Sequence, residues 1–293
     1  MKETFDKGGP DPAWLDRFIR SSLEEDIGEG DHSSLSCIEE EAEGKVQLLI
    51  KDDSVIAGLE LATGIFRHLD PEVRAEQRIS NGERAKGGSI ALEVEGRVRS
   101  LLAGERLVLN CMQRMSGIAT LTASFVDRVK DLPVQINDTR KTTPGLRPLE
   151  KWAVRIGGGL NHRHGLYDMI LLKDNHIDHA GGVENALRSA LDYLEVNKLE
   201  LPVEVEARGL EEVDRILRTA HVDRIMLDNF SFGDLEKAVA RIDGVAITEA
   251  SGGITLGTVR DYAECGVDRI SVGALTHSYP SIDMSLKASG EKL

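Results

Sequence analysis

The second half of the chain repeats a short apolar run that ends in a polar residue or glycine. The four clearest runs are VEVEA (203–207), RIMLD (224–228), VAITEA (245–250) and RISVG (269–273), which begin 21, 21 and 24 residues apart. An amphipathic segment such as LEEVDRILRTA (210–220) lies between one run and the next. Strands and helices that alternate at this spacing predict a parallel sheet with right-handed crossovers.

Two further runs, VQIND (134–138) and MILLKD (169–174), bring the predicted strands to six, with a seventh left open. This number predicts an α/β barrel that is incomplete, and a doubly wound sheet is the alternative. A dinucleotide-binding fold is disfavoured because no GxGxxG sequence opens a strand–helix unit.

The first half of the chain has a different pattern. Short apolar stretches between residues 44 and 102 (VQLLI, SVIAG, SIALEVEG and VRSLL) predict an antiparallel sheet with helical additions. We expect a loose tail over residues 1–12, then a helix that ends near Gly28. A long helix, apolar on several faces, is predicted from Gly104 to Lys130.

The composition is that of a globular protein, with 293 residues, 41% hydrophobic and 29% charged, and a formal net charge of −14. This acidity argues against nucleic acid or an anionic membrane surface as partner. No apolar run reaches the length of about 18 residues that a membrane helix needs, and the N-terminus has no secretory signal. The cysteines Cys37, Cys111 and Cys265 fit neither a disulfide framework nor a zinc cluster. We therefore expect a cytoplasmic protein.

One segment reverses the overall charge. Residues 137–176 hold seven Lys or Arg and four Asp or Glu, a local net charge of +3, so the rest of the chain carries −17. A basic segment in an acidic protein is typical of an anion pocket, although a solvated surface remains the alternative. Zinc is disfavoured because His162 and His164 alternate instead of lying four residues apart on a helix.

Polar residues at the ends of the predicted strands are candidates for the reacting groups, because these ends meet at one face of an α/β barrel. They are Asp138, Lys173, Glu206, Asp228 and Glu249. Solvation of a loop remains the alternative for each of them. Glu206 lies inside a strand pattern, where an unpaired carboxylate is costly, so it indicates an internal ion pair or a ligand of a metal or of ribose hydroxyls.

Two glycine-containing turns, SGGIT (251–255) and VGALTHS (272–278), follow the last two strands. Backbone N–H groups at such turns bind phosphate in α/β barrels, and turns that simply need positive φ are the alternative. The residues alone therefore indicate a phosphate site, a basic site for an anion with several negative groups, and carboxylates between them.

The sequence resembles the quinolinate phosphoribosyltransferase family over nearly its whole length, from about residue 14 to 287. The motifs that carry the resemblance are DTRKTTPGLR (138–147), GGGLNHRHGLYD (157–168), LLKDNH (171–176), LDN (227–229), EASGGIT (249–255) and ISVGALTHS (270–278).

The resemblance implies an enzyme that converts quinolinate and phosphoribosyl pyrophosphate to nicotinate mononucleotide, pyrophosphate and CO2, with Mg2+. It implies an N-terminal α/β sandwich domain over residues 1–117, on which 279–293 packs back, and an incomplete seven-stranded α/β barrel over 118–278. It also implies a homodimer with a shared active site, in which each sandwich covers the partner's barrel mouth. Hexamers occur among the relatives.

The resemblance also implies the roles of individual residues. The carboxylates of quinolinate are assigned to Arg140, His162, Arg163 and Lys173. Lys141 lies at the same site, near substrate or pyrophosphate, beside Thr139, and Arg106 reaches the neighbour's site. The ribose hydroxyls and the metal are assigned to Glu206 and Asp228, which with Lys141 and Lys173 form the catalytic set. The 5-phosphate is assigned to Ser251, Gly252, Gly253, Val272, Gly273 and Ala274.

Two other functions are compatible with parts of this pattern. One is a molybdenum-transport-associated protein of the same fold, which the intact LYDMILLKDNH stretch disfavours. The other is a non-catalytic phosphate-binding barrel that acts as a regulator or scaffold. A scaffold has no reason to carry the full set of basic and acidic residues that the resemblance assigns to the site.

Overall fold

The computed structural model of the protein describes residues 8–289. Its helices are α1 (Pro12–Ile27), α2 (His32–Cys37), α3 (Leu59–Leu69), α4 (Val98–Val129), α5 (Arg147–Ile156), α6 (Asp174–His179), α7 (Val183–Asn197), α8 (Leu210–Thr219), α9 (Phe232–Ile242), α10 (Val259–Glu264) and α11 (Ala274–His277). Its strands are β1 (Glu43–Ile50), β2 (Ser54–Val55), β3 (Arg74–Gln77), β4 (Arg84–Ala85), β5 (Ile90–Arg97), β6 (Gln135–Asn137), β7 (Ile170–Leu172), β8 (Val203–Ala207), β9 (Arg224–Asp228), β10 (Ile247–Ser251), β11 (Arg269–Ser271) and β12 (Met284–Ala288).

The predicted first helix is confirmed as α1, which begins at Pro12 and is capped by the Asp11 carboxylate. Aspartate before proline at the first position is a favourable helix start, because its oxygen satisfies a free N–H and proline needs no partner there. Leu15, Ile19 and Leu23 are buried on one face, as their spacing predicts. The tail expected over residues 1–12 falls partly outside the described residues.

The antiparallel sheet predicted after residue 44 is confirmed, with the strand order β12-β1-β5-β3. In β1, Val46, Leu48 and Ile50 are buried while the residues between them are half-buried, the alternation of a sheet with one covered face. Leu48 lies opposite Leu92 of β5 on one side and Leu286 of β12 on the other. Strand β12 comes from the far end of the sequence and completes this sheet.

The stretch VRSLL, predicted to belong to the sheet, is helical. Helix α4 begins at Val98, six residues before the predicted start, and directly follows β5. Leucine and alanine, which favour helix, dominate residues 101–103 and continue the helical pattern backward. Further along α4, Met112, Met115 and Ile118 are fully buried, in agreement with its predicted broad apolarity.

All six strands predicted for the second half are present and form one parallel sheet in the order β6-β11-β10-β9-β8-β7. Strands β7 to β11 follow each other in one direction, which is the winding of a barrel and excludes the reversed order of a doubly wound sheet. Leu160 adds a parallel bridge to Asn137 beside β6, at the position of a seventh strand. The fold is therefore the expected incomplete α/β barrel. Strand β8 is buried at every position, as parallel strands covered on both faces require.

The chain divides into two compact units. The first comprises residues 1–123, 143–158 and 278–293, and the second comprises 124–142 and 159–277. Helix α5 thus belongs to the first unit, although it lies between β6 and β7 in sequence. The domain boundary expected between residues 117 and 118 stays a prediction. Among residues 8–289, no helix combines the length and the apolarity that crossing a membrane requires. The cytoplasmic location also stays a prediction.

The packing of α4 can be tested at Gly117, which lies against the segment after α11. A Cβ atom at Gly117 would collide with the carbonyl oxygen of Pro280 and meet the ring of Tyr279 at 3.0 Å. We expect Gly117→Ala to lower the free energy of unfolding by about 1–3 kcal/mol, the usual cost of overpacking, as measured by urea unfolding.

The matched control is Gly64→Ala in α3, where the new Cβ would make only an ordinary contact of 3.5 Å with Ile19. Alanine is favoured over glycine in helices by about 1 kcal/mol, so this variant should be more stable than the wild type. Equal stability changes in the two variants would contradict the close packing of α4 at Gly117.

Candidate active site

A cavity of about 760 Å³ lies at the carboxyl ends of the parallel strands. Its size is typical of a site for a small molecule or cofactor. The polar residues that line it are Thr139, Arg140, Lys141, His162, Arg163, Lys173, Glu206, Asp228, Asn229, Ser251, Thr255, Ser271 and His277. The other lining residues are Leu171, Met226, Gly252, Gly253, Ile254, Gly273 and Ala274.

The basic side of the cavity follows β6 and the bridge at Leu160. Arg163 is buried, and its guanidinium donates to the carbonyl oxygen of Met169 at 3.2 Å. Burial, and then the positive charge of Arg140, lower the pKa of Arg163. Neither Arg140 nor Arg163 forms an ion pair with a carboxylate among residues 8–289. Their charges are therefore available to an anion, which their forked donors suit.

Lys141 is held by its backbone on the same side. Its N–H donates to Oγ1 of Thr139 at 3.0 Å, and its carbonyl accepts from Oγ1 of Thr276 at 2.9 Å. The lysine stem lies so close to Gly273 that a Cβ there would be 3.0 Å from Cδ of Lys141. The turn after β11 and the end of β6 are thus adjacent in the cavity wall.

Carboxylates form another part of the wall. Glu206, at 6% exposure, accepts a hydrogen bond from Nζ of Lys173 at 3.1 Å. Burial raises the pKa of Glu206, Lys173 opposes this shift, and the charge of Asp228 adds to it. The internal ion pair considered for Glu206 is therefore present, and the same carboxylate also faces the cavity.

The turn after β10 presents its backbone to the cavity. Gly252 and Gly253 have φ angles of +106° and +59°, and Asn229 has a φ of +56°. The N–H of Asn229 donates to the carbonyl of Ser251 at 2.9 Å, which joins the ends of β9 and β10. A side chain at Gly252 would overlap Asn229. The positive φ that the sequence left open for this turn is thus observed, and it is compatible with phosphate binding.

A cluster of buried charged residues lies next to the His162 ring. Oε2 of Glu204 is 2.8 Å from Nε2 of His162 and 3.7 Å from Arg224, within ion-pair distance but outside hydrogen-bond geometry. Glu249 accepts from Arg224 at 2.6 Å, from Asn137 at 3.3 Å and from Ser271. Burial, and then the charge of Glu204, raise the pKa of Glu249.

This cluster was not predicted from the sequence as a group. The available signal was Glu204, a second carboxylate inside the strand pattern VEVEA, two residues before Glu206. Three of its members, His162, Glu204 and Glu249, have the residue types and spacing of metal ligands. Arg224 already supplies positive charge here, so the cluster gives no support for a metal ion.

Thirteen of the fifteen residues assigned to the site by resemblance line the cavity. Val272 does not, because its side chain is buried and its N–H donates to the carbonyl of Asn137. Arg106 lies in α4, exposed, in the first unit, and is not part of this lining. Asn229, Thr255, Ser271 and His277 also line the cavity and were not assigned. Asn229 and His277 stand in the motifs LDN and LTHS, which could have indicated them.

Glu206 and Asp228 are the lining carboxylates, and the charge of Asp228 adds to the effect of burial in raising the pKa of Glu206. Carboxylate oxygens are hard ligands of the kind that Mg2+ prefers, commonly one or two of them together with substrate phosphates. This pair therefore fits the predicted magnesium ion better than the buried cluster does.

The chain matches two family models over most of its length. The model of the quinolinate phosphoribosyl transferase N-terminal domain matches residues 31–116, and that of the C-terminal domain matches residues 118–287. Quinolinate phosphoribosyltransferase [decarboxylating] 1b of Nicotiana tabacum is 47% identical over 288 residues, which cover 93% of this chain and 82% of the relative.

Two further relatives agree. A chloroplastic nicotinate-nucleotide pyrophosphorylase [carboxylating] of Arabidopsis thaliana is 45% identical over 94% of this chain and 83% of its own length. The crystal structure of NadC from Streptococcus pyogenes superposes with a TM-score of 0.91 at 38% identity, and covers 98% of this chain and 100% of that one. The chain therefore belongs to the quinolinate phosphoribosyltransferase family.

Proposed function

We propose that this protein transfers the phosphoribosyl group of phosphoribosyl pyrophosphate to quinolinate and releases pyrophosphate and CO2, which yields nicotinate mononucleotide for NAD biosynthesis. The family membership supports this reaction. The observation that supports its site is a single cavity with unpaired arginines on one side, carboxylates on another and a glycine turn between strand ends. The arginines suit a dicarboxylate, the carboxylates suit the hydroxyls of a ribose, and the glycine turn suits a phosphate.

We assign the two carboxylates of quinolinate to Arg140, Arg163 and Lys173. The burial of Arg163 supports this role, because a charge in a low-dielectric wall attracts an anion more strongly than an exposed one does. Lys141, beside them, is assigned to substrate or pyrophosphate. These are the only proposed contacts that distinguish a dicarboxylate from a neutral ring.

His162 has a less direct position than the resemblance implies. Its Nδ1 accepts the N–H of Arg163 at 2.8 Å, and its Nε2 faces Glu204. A hydrogen bond from the ring to quinolinate would require the ring to leave these partners. The proposal that His162 holds a substrate carboxylate therefore stays a prediction, and its present contacts orient Arg163.

We assign the ribose hydroxyls to Glu206 and Asp228, and the 5-phosphate to the backbone of Ser251, Gly252 and Gly253. Gly273 and Ala274 extend the phosphate site to the turn after β11. Backbone N–H groups of such turns bind phosphate without a charged side chain. The position of this turn after the last strands is the usual one for phosphate in α/β barrels.

The geometry suits a reaction without a covalent nucleophile. As the bond from the anomeric carbon to pyrophosphate breaks, positive charge develops on the ribose, and the fixed carboxylates of Glu206 and Asp228 stabilise it. The basic wall holds quinolinate so that its ring nitrogen meets that carbon. The resulting pyridinium then accepts the electron pair left as the 2-carboxylate departs as CO2, and a proton from water replaces it on the ring.

We propose that Glu206 and Asp228 also hold Mg2+ together with the substrate. When bound, this ion offsets the negative charge of the departing pyrophosphate. Lys173, hydrogen-bonded to Glu206, links the carboxylate wall to the basic wall, so the two halves of the site share one contact.

We further propose a homodimer with shared sites, in which Arg106 enters the partner's cavity. Arg106 is exposed and pairs with no carboxylate among residues 8–289. In the second unit, Leu166 and Tyr167 follow Arg163 with exposures of 69% and 72%. Adjacent exposed apolar side chains of this size are typical of a contact surface. Larger assemblies such as hexamers stay a prediction.

The reaction can be tested directly on the purified protein. We expect nicotinate mononucleotide to form from quinolinate, phosphoribosyl pyrophosphate and Mg2+, and we expect little product when nicotinate replaces quinolinate, because one basic group then lacks its carboxylate. Chromatographic detection of the product checks this. Absence of product with both acids would contradict the proposed reaction and favour a regulator or an unassigned substrate.

The phosphate turn can be tested with Gly252→Ala. A residue with a Cβ is strained at this φ by about 1–3 kcal/mol and would also displace Asn229, so kcat/KM for phosphoribosyl pyrophosphate should fall about tenfold or more. The control is Gly257→Ala nearby, where a Cβ would be 3.7 Å from Oγ1 of Thr255 and should leave the kinetics unchanged. Equal kinetics for both variants would argue against this turn as the phosphate site.

The shared site can be tested by mixing two inactive variants, Arg106→Ala and Lys173→Met. In a symmetric dimer, a hybrid has one intact site and one doubly altered site. Random exchange makes half of the dimers hybrids, so activity should return to about a quarter of the wild-type value. If native mass spectrometry shows hybrids and the mixture remains inactive, Arg106 does not act across the interface.

A further inference from the structure

Asp138, the residue that directly follows β6, has a carboxylate with no exposed surface. Oδ1 accepts the backbone N–H of His162 at 2.8 Å, and Oδ2 accepts from Nδ2 of Asn161 at 2.6 Å. Its own N–H donates to the carbonyl of Leu160 at 3.0 Å. Three hydrogen bonds therefore join this one residue to the segment 160–162.

The two segments that Asp138 joins carry the basic wall of the cavity. Thr139, Arg140 and Lys141 follow it in sequence, and Arg163 follows the residues that it binds. Hydrogen bonds to a buried carboxylate are shorter and stronger than those between neutral groups. The two segments are thus held together by the Asp138 side chain and by the backbone bridge between Asn137 and Leu160.

The two arginines would otherwise tend to separate. Both guanidinium groups are positively charged and line the same cavity, and the charge of Arg140 adds to the effect of burial in lowering the pKa of Arg163. Through its hydrogen bonds to His162 and Asn161, Asp138 places a carboxylate between the two cationic segments. Arg140 and Arg163 themselves form no ion pair among the described residues.

We propose that Asp138 is a positioning residue, which holds Arg140 and Arg163 at the spacing that two adjacent carboxylates on one ring require. This inference rests on the proposed binding of quinolinate by those arginines. Asp138 then helps the site to select a dicarboxylate. Substitution of Asp138 should have little effect on the binding of the ribose and the phosphate.

The test is Asp138→Asn, which keeps the shape and one acceptor but places a donor opposite Nδ2 of Asn161. Because the variant loses a hydrogen bond to a charged carboxylate, the KM for quinolinate should rise about tenfold or more. The KM for phosphoribosyl pyrophosphate should stay near its wild-type value. A structural role alone would not separate the two substrates.

A reciprocal double variant distinguishes a positioning role of Asp138 from a general disruption of the fold. Asp138→Asn combined with Asn161→Asp restores a donor and an acceptor across the same contact, with the roles exchanged. We expect the KM for quinolinate to return toward the wild-type value in this double variant. If the asparagine variant does not fold, Asn161→Ala removes one of the two side-chain contacts and should raise the same KM to a smaller extent.

The matched control is Asp268→Asn in the same unit. Asp268 also accepts two hydrogen bonds, from the N–H and Oγ1 of Thr248, but it precedes β11 and so lies at the opposite ends of the strands. Its substitution should change the melting temperature without changing either KM.

Three results would overturn the inference. One is an unchanged KM for quinolinate in folded Asp138→Asn, another is an equal rise for both substrates, and the third is a double variant no better than the single one. Failure of the proposed function gives a different result, because the wild-type protein would then form no product from quinolinate.

Discussion

The parallel direction of six strands is the constraint on which the site depends. Because all six end at the same edge, residues from the end of β6 to the turn after β11, far apart in sequence, share one cavity wall. The end of each strand contributes polar groups there, while strands β8 and β9 are themselves almost completely buried. The strands therefore fix the positions of the polar lining residues, although many of these residues lie in loops.

The charge of the chain is arranged on two scales. The protein as a whole is strongly acidic, whereas the segment that supplies the basic wall is positive. Glu204, Arg224 and Glu249 form a buried charged group next to His162, and none of these three residues lines the cavity. Net charge thus describes the solvent-facing surface and gives no indication of what the cavity binds.

The sequence predicted the six parallel strands because each is a short apolar run with a polar end, a pattern that depends on local residues alone. It missed what depends on three-dimensional proximity. Glu204 and Arg224 look like ordinary strand residues in the sequence, and only the pairing of β8 with β9 brings them together. Val272 belongs to a motif, but its N–H is hydrogen-bonded to Asn137 beside the sheet. VRSLL was ambiguous because a short apolar run suits a strand or the first turn of a helix.

The pairing of β1 with β12 has a consequence for biosynthesis. Val46 lies opposite Ala288, so this edge of the first sheet stays uncovered until residue 288 has left the ribosome. The second unit, whose strands follow one another closely, can assemble before that moment. An uncovered strand edge is a site for wrong pairing with other chains. Strand β12, which is synthesised long after β1, is therefore the strand that protects this edge of β1. Chains that stop before β12 would expose the edge to aggregation and to chaperones.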